Sequence, residues 1–156
     1  MKSGFQRATG EIIVMMDADG ATDPEAINQF IQPLLQGYEM AKGSRLSKGR
    51  PVDMTLFRWL GNTILAITFN ILYNTHYTDI CSGYYSFRKQ ALQSLHLVHD
   101  GFEMEQEMIA KASKAHLKII EVANHDAGRI NNVSKVSSLK QGFKDWLVII
   151  RKRFSD

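Results

Sequence analysis

The chain has 156 residues, with 19 Lys and Arg against 16 Asp and Glu, a formal net charge of +3 and one cysteine, Cys81. Its 44% hydrophobic and 22% charged residues are the balance of a folded globular domain, which excludes wholesale disorder and collagen-like repeats. A single cysteine excludes an intrachain disulfide and a cysteine-built zinc site, and it fits a reducing compartment.

Residues 11–16 form a short apolar run that stops at Asp17-Ala18-Asp19-Gly20, which reads as a buried, parallel-type strand. Thr22-Asp23-Pro24-Glu25 is a helix start, with a cap residue, a proline and an acid in the first turn. Apolar residues at helical spacing follow as far as Leu35, and Gly37 stops that helix. A second strand is expected over 38–41, ending at Gly43-Ser44-Arg45, and a mobile loop over 46–53. Residues 56–73 are long, apolar and helical in pattern. Their uncharged core, 59–75, falls short of a comfortable membrane span, so an amphipathic helix, buried or lying on a surface, is preferred to a transmembrane one. A strand over 84–87, helices near 90–95 and over 103–115, a strand over 118–122 and a tail helix over 137–154 complete an alternating α/β pattern.

The tail is distinctive. Between Lys135 and Arg153 there are six basic residues and one acid, Asp145. Leu139, Phe143, Trp146, Leu147, Ile150 and Phe154 share one helical face. That combination predicts a helix lying on an anionic membrane surface, against the alternative of a helix docked on its own domain through the same stripe. Positive charge confined to the tail argues for a local anionic partner and against nucleic acid.

Asp17 and Asp19, two apart at the end of a strand, project to one side at the edge where open α/β sheets bind ligands. Two carboxylates there suit Mg²⁺ or Mn²⁺ holding a diphosphate, or else one caps the next helix and the other is solvated. Asp79, before Ser82-Gly83, either hydrogen-bonds a substrate or closes its own turn. Glu107 lies early in a helix, where an acid also favours the dipole. Arg129 with Ser134 and Lys135 is a set able to clamp phosphate, or a solvated loop.

Taken together, Asp17-Ala18-Asp19, Asp23-Pro24-Glu25, Gly43-Ser44-Arg45, Asp79-x-x-Ser82-Gly83, Glu107, Glu121-Val122 and Arg129 with Ser134-Lys135 resemble family 2 glycosyltransferases. The order is similar to the branch that includes dolichol-phosphate mannose synthase and bacterial polyprenyl-phosphate glycosyltransferases. Ala21, Ala123 and Asn132 depart from that branch, which has Gln, Pro and Gly there. The resemblance implies an α/β fold of glycosyltransferase type A, represented here by its C-terminal part over 1–136, with 137–156 as a basic amphipathic tail. It implies that Asp17 and Asp19 meet a nucleotide-diphosphate sugar and its Mg²⁺ or Mn²⁺, and that Arg45 lies near the donor phosphates or the acceptor. Asp79 is placed at the sugar site, and Arg129, Ser134 and Lys135 in the loop over the donor diphosphate and a polyprenyl phosphate. The expected reaction is inverting sugar transfer at the cytoplasmic face of a membrane, by an N-terminally truncated chain. The rivals are a non-catalytic membrane-associated binding module and a family 2 transferase with a non-lipid acceptor.

Overall fold

The computed structural model describes residues 2–18, 20, 22–51, 54–99, 101, 103–124 and 138–155. In chain order the elements are α1 (Lys2–Arg7), β1 (Ile12–Met15), α2 (Ile27–Leu35), β2 (Met40–Ser44), α3 (Leu56–Tyr73), β3 (Tyr85–Arg88), α4 (Lys89–Ser94), α5 (Glu103–Lys114), β4 (Ile119–Ala123) and α6 (Ser138–Phe154). A short 3₁₀ turn, Pro24–Ala26, leads into α2; Asp23 caps it by accepting a 2.8 Å bond from the Glu25 amide, with Pro24 following the cap. Gly37, at φ +99°, closes the turn after α2, a conformation that costs glycine little.

The sheet order is β1-β3-β2-β4. β2 and β4 pair in parallel, with Gly43 opposite Val122, while β3 runs antiparallel to both β1 and β2. This corrects the reading of β1 as a buried, parallel-paired strand. It points the same way as β2 and β4, but its described partner is the antiparallel β3, and only Ile13 in it is buried. An apolar run does not reveal the direction of the neighbouring strand, because β3 enters this position only after the long α3 crossover.

Alternation along the strands divides the core into two. On one face Ile13, Met40, Tyr85 and Phe87 meet Leu65 and Phe69 of α3, Met108 and Ile109 of α5, and Ile149 of α6. On the other, Ala41 and Tyr84 meet Phe30 and Leu34 of α2, with the Phe30 and Tyr84 rings stacked at 3.8 Å. The second strand extends further than expected, through Gly43 and Ser44, and α1 has no counterpart in the sequence reading.

The segment after β2 forms turns without helix or strand, organised by Ser44 Oγ, which accepts from the amides of Leu46 (3.2 Å) and Ser47 (3.0 Å). α3 occupies the expected range. Thr55 caps its start, Asn74 ends it in the left-handed region, and no helix among the described residues is long and apolar enough to cross a membrane.

α6 packs on α3 and α5, though not through the expected stripe. Its buried line is Asp145 and Ile149, with Lys152 beside them. Phe143, Trp146 and Phe154 remain exposed. Tyr73 Oη donates to the Ile149 carbonyl at 2.8 Å, and Arg153 Nε to the Leu72 carbonyl at 2.7 Å. At 100° per residue the stripe is centred roughly 140° around the helix from this buried line.

Candidate active site

The carboxyl ends of β1 and β2 and the turn before β3 converge, and three of the sequence motifs meet there. Gly43, in β2, lies against the Ser82 side chain: a Cβ on Gly43 would stand 2.7 Å from Ser82 Oγ. Asp17, just beyond β1, lies against Gly83, where any Cβ would collide with the Asp17 carboxylate. The glycines of Gly-Ser-Arg and Ser-Gly therefore serve close approach, and neither has positive φ.

Arg45 and Asp79 form a two-pronged ion pair. Arg45 Nε donates to Asp79 Oδ2 at 2.8 Å, and Nη2 donates to Oδ1 at 3.2 Å. The Arg45 and Cys81 amides complete the carboxylate's shell, and Arg45 Nη2 also donates to the Cys81 carbonyl at 2.7 Å. Asp79 is fully buried. Burial alone would raise its proton affinity, but Arg45, Lys42 and the Cys81 amide outweigh that and hold it below the ordinary carboxylate value. The same burial pushes the Cys81 thiol up.

Beneath this pair lies a second one that the sequence reading did not identify. Lys42 is wholly buried, with Nζ 2.8 Å from Glu121 Oε1 and 5.1 Å from the Tyr77 ring centre. It also donates to the Asp79 and Gly43 carbonyls. Glu121 accepts from the Thr78 amide (3.0 Å), the Thr78 hydroxyl (2.6 Å) and the Asp79 amide (3.2 Å). Because Thr78 Oγ1 donates to Glu121, Ser44 Oγ is the donor in the 2.6 Å Ser44–Thr78 contact. Asn70 of α3 bonds both the amide and the carbonyl of Tyr77. Residues 77–79 are thus pinned from three elements. An alternating strand pattern hides Lys42, since a lysine inside β2 reads as solvent-facing; its partner at Glu121 emerges only from the parallel register of β2 and β4.

On α5 the acid that responds to the site's charges is not the one singled out in sequence. Glu107 is buried and bonded to the amides of Val98 (2.9 Å) and His99 (2.7 Å), and paired with Lys152 (2.8 Å) and Lys111 (3.0 Å). It fastens the segment before α5 and the end of α6. Burial would raise its proton affinity, yet these hydrogen bonds lower it. Glu105, two residues earlier and so nearly opposite on the helix, is held up at about 8, first by burial and then by the charges of Asp17 and Asp145. Arg45 and Asp79 also act on it, which places Glu105 electrostatically with the Asp17 end of the site. Burial and the Glu103 charge also raise Asp145, to about 6, against its 2.8 Å bond from Gln141.

On the other side of Arg45 a cavity of about 220 Å³ is lined by Asp23, Gln29, Arg45, Lys48 and Asn124, among others. Asp19, Arg129, Ser134 and Lys135 lie outside the described residues. Among the described residues no three His, Cys, Asp or Glu gather into a metal-sized cluster. Of the expected site residues, the structure therefore brings Arg45 and Asp79 into contact and sets Asp17 beside the Ser82-Gly83 turn.

The sequence pattern of Glycosyl transferase family 2 matches residues 1–95. The chain belongs to this family. It is 31% identical over 106 residues to glycosyltransferase AglJ of Haloferax volcanii, covering 68% of this chain and 35% of that protein. It is 30% identical over 122 residues to the dolichol-phosphate mannosyltransferase of Pyrococcus furiosus, covering 76% of this chain and 34% of that protein. Among solved structures, glucosyl-3-phosphoglycerate synthase of Mycobacterium tuberculosis superposes with a TM-score of 0.70 at 18% identity, over 97% of this chain and 53% of that one. The same enzyme with Mn²⁺, uridine diphosphate and phosphoglyceric acid gives 0.68 at 16% identity, over 96% and 51% of the two chains. The α/β architecture is the glycosyltransferase type A fold, and the chain spans about a third to a half of the length of these three relatives.

Proposed function

We propose that this chain carries the site of an inverting, metal-dependent glycosyltransferase that moves a sugar from a nucleotide diphosphate to a polyprenyl phosphate at the cytoplasmic face of a membrane. The observation that carries the reading is the convergence of Asp17 and Arg45, at the carboxyl ends of β1 and β2, with Asp79 of the turn before β3, at the sheet edge where this class of fold binds ligands.

The residues fit a hard divalent cation. Asp17 supplies carboxylate oxygens just beyond β1, against the Ser82-Gly83 turn, and hard oxygen donors of that kind suit Mg²⁺ or Mn²⁺. Asp17, with Asp19, would hold the ion, whose chemistry is to neutralise the leaving diphosphate. Arg45 faces both Asp79 and the cavity that Lys48 and Asn124 line, so the buried Asp79 fixes a guanidinium for phosphate oxygens. Arg129, Ser134 and Lys135 add phosphate contacts in this reading. Catalysis is then mostly alignment and charge neutralisation, because an acceptor phosphate is already a nucleophile.

Glu105 favours a second reading. A carboxyl poised near neutrality suits a general base for a hydroxyl acceptor, a role worth roughly 10²–10⁴-fold in rate. One experiment tests both. Calorimetric titration with UDP-sugars and GDP-sugars, with Mn²⁺ or with chelator, should give cation-dependent binding that Asp17→Asn abolishes. Transfer to polyprenyl phosphate should survive Glu105→Gln, whereas transfer to a hydroxyl acceptor should collapse. Cation-independent binding, or none, overturns the transferase reading in favour of a binding module.

A further inference from the structure

We propose that the outward face of α3 is a contact surface for an anionic lipid bilayer. This rests on the membrane part of the proposed function and not on the transfer chemistry.

α3 is apolar on both its buried and its outward face. Leu65, Ala66 and Phe69 turn into the core. Leu56, Phe57, Leu60, Ile64, Ile67 and Ile71 turn outward, with Ile64 59% and Ile71 77% exposed. From Phe57 onward their spacing is three, four, three and four residues, which makes one continuous row directly opposite Phe69. The only charged residue on the helix is Arg58, at its start. An apolar row of this length is larger than the scattered exposed residues of an ordinary surface.

The charge around the row points to the occupant. Residues 46–77 and 138–155 together carry eight Lys and Arg and only two acids, Asp53 and Asp145; the rest of the chain carries eleven against fourteen. Asp145 is buried, whereas Lys48 and Arg50 before α3 and Lys140, Lys144 and Arg151 on α6 are exposed. α6 runs beside the end of α3, tied by the Tyr73–Ile149 and Arg153–Leu72 bonds. Around the axis of α6, Lys152 marks the α5 side and Arg153 the α3 side. Phe143 and Trp146 fall beyond Arg153, on the α3 side, with their rings 6.2 Å apart. An apolar row bordered by cations and interfacial aromatics matches the interface of an anionic leaflet, with the rings at headgroup depth and the cations among phosphates. A neutral protein partner would have no use for the one-sided charge.

The test is co-sedimentation of the whole chain with vesicles of phosphatidylcholine alone or mixed with phosphatidylserine. The chain should bind the mixed vesicles, bind them less as salt rises, and lose about tenfold in partitioning with Ile64→Glu/Ile67→Glu. Both positions face solvent, so helical circular dichroism and the unfolding midpoint should be unchanged. Lys140→Glu/Lys144→Glu should weaken binding to the mixed vesicles. Wild-type partitioning by the Ile64/Ile67 variant, or no binding by the native chain, overturns the proposal. So does sedimentation-velocity evidence that the substitutions dissolve a dimer while leaving vesicle binding intact, since the face then belongs to a second copy. Sugar-nucleotide binding, measured separately, is expected to be indifferent to these substitutions.

Discussion

At the strand ends, charges are buried and compensated; on α3, apolar side chains face water. Lys42, Glu121, Arg45 and Asp79 lie where a core would ordinarily be apolar, and each has a partner of opposite sign and at least one bond to the backbone. α3 is capped at both ends by Thr55 and Asn74 and carries an apolar row with no described partner. Burial of charge is tolerated when every donor and acceptor is matched, and the cost then lies in losing one member. Exposure of apolar surface carries no such local penalty, so it persists wherever something outside the described residues can cover it.

The largest effect should come from breaking the compensation. Lys42→Met leaves Glu121 without its counter-charge beside a packed core, and should cost about 3–5 kcal/mol in urea unfolding. Lys42→Met/Glu121→Gln should recover part of that loss, because the stranded charge is gone. A double variant no more stable than the single would mean that Glu121 is held by Thr78 and Asp79 alone.

Two adjacent residues of α3 sharpen the contrast. Leu65→Ala, at a site only 7% exposed, should cost roughly 2–4 kcal/mol by creating a cavity. Ile64→Ala, one residue earlier and about 100° around the helix on the outward row, should change stability by no more than about 0.5 kcal/mol. Comparable losses would show that the outer row is packed in solution.

A smaller effect is expected at the Asp17 end. Gly83→Ala drives a methyl group into the Asp17 carboxylate, and should cost about 1–3 kcal/mol or displace the acid. Either result is visible, as a lower unfolding midpoint or as weakened Mn²⁺ dependence of nucleotide binding. An unaffected variant would place Asp17 elsewhere in solution.

Much of this was legible in the residues. The helix start at Asp23-Pro24 and the α3 range rest on local signals, a cap and a period, whereas the Arg45–Asp79 ion pair is visible only in the structure. Other features depend on which strands become neighbours. The antiparallel β3 beside β1 and the Lys42–Glu121 pair need the register of residues about 70–79 positions apart, which no local pattern encodes. Similarly, the stripe on α6 was visible, but the edge by which it docks was decided by a buried Ile149 and by Lys152 reaching Glu107.

The finest distinction lies within α5, where two acids of like chemistry should respond oppositely to pH. Glu105 is raised from 4.5 to about 8, so the folded state binds its proton more tightly than the unfolded chain does. Its effect on stability is therefore unfavourable as pH rises from about 4.5 to about 8. Glu107 is lowered by Lys152, Lys111 and two amides against the pull of burial, so its contribution is fully present above the unfolded value and is lost as pH falls below about 4.5. In chelator, to keep any cation away from Asp17, Glu105→Gln should match the native midpoint in mild acid and exceed it progressively toward about pH 8. Glu107→Gln should melt below the native chain at neutral pH, with the gap closing in acid. Thermal melts across pH read both differences in one series. Parallel curves for the two variants would mean that Glu105 and Glu107 share one environment, and the assignment of opposite faces of α5 to site and scaffold would fail.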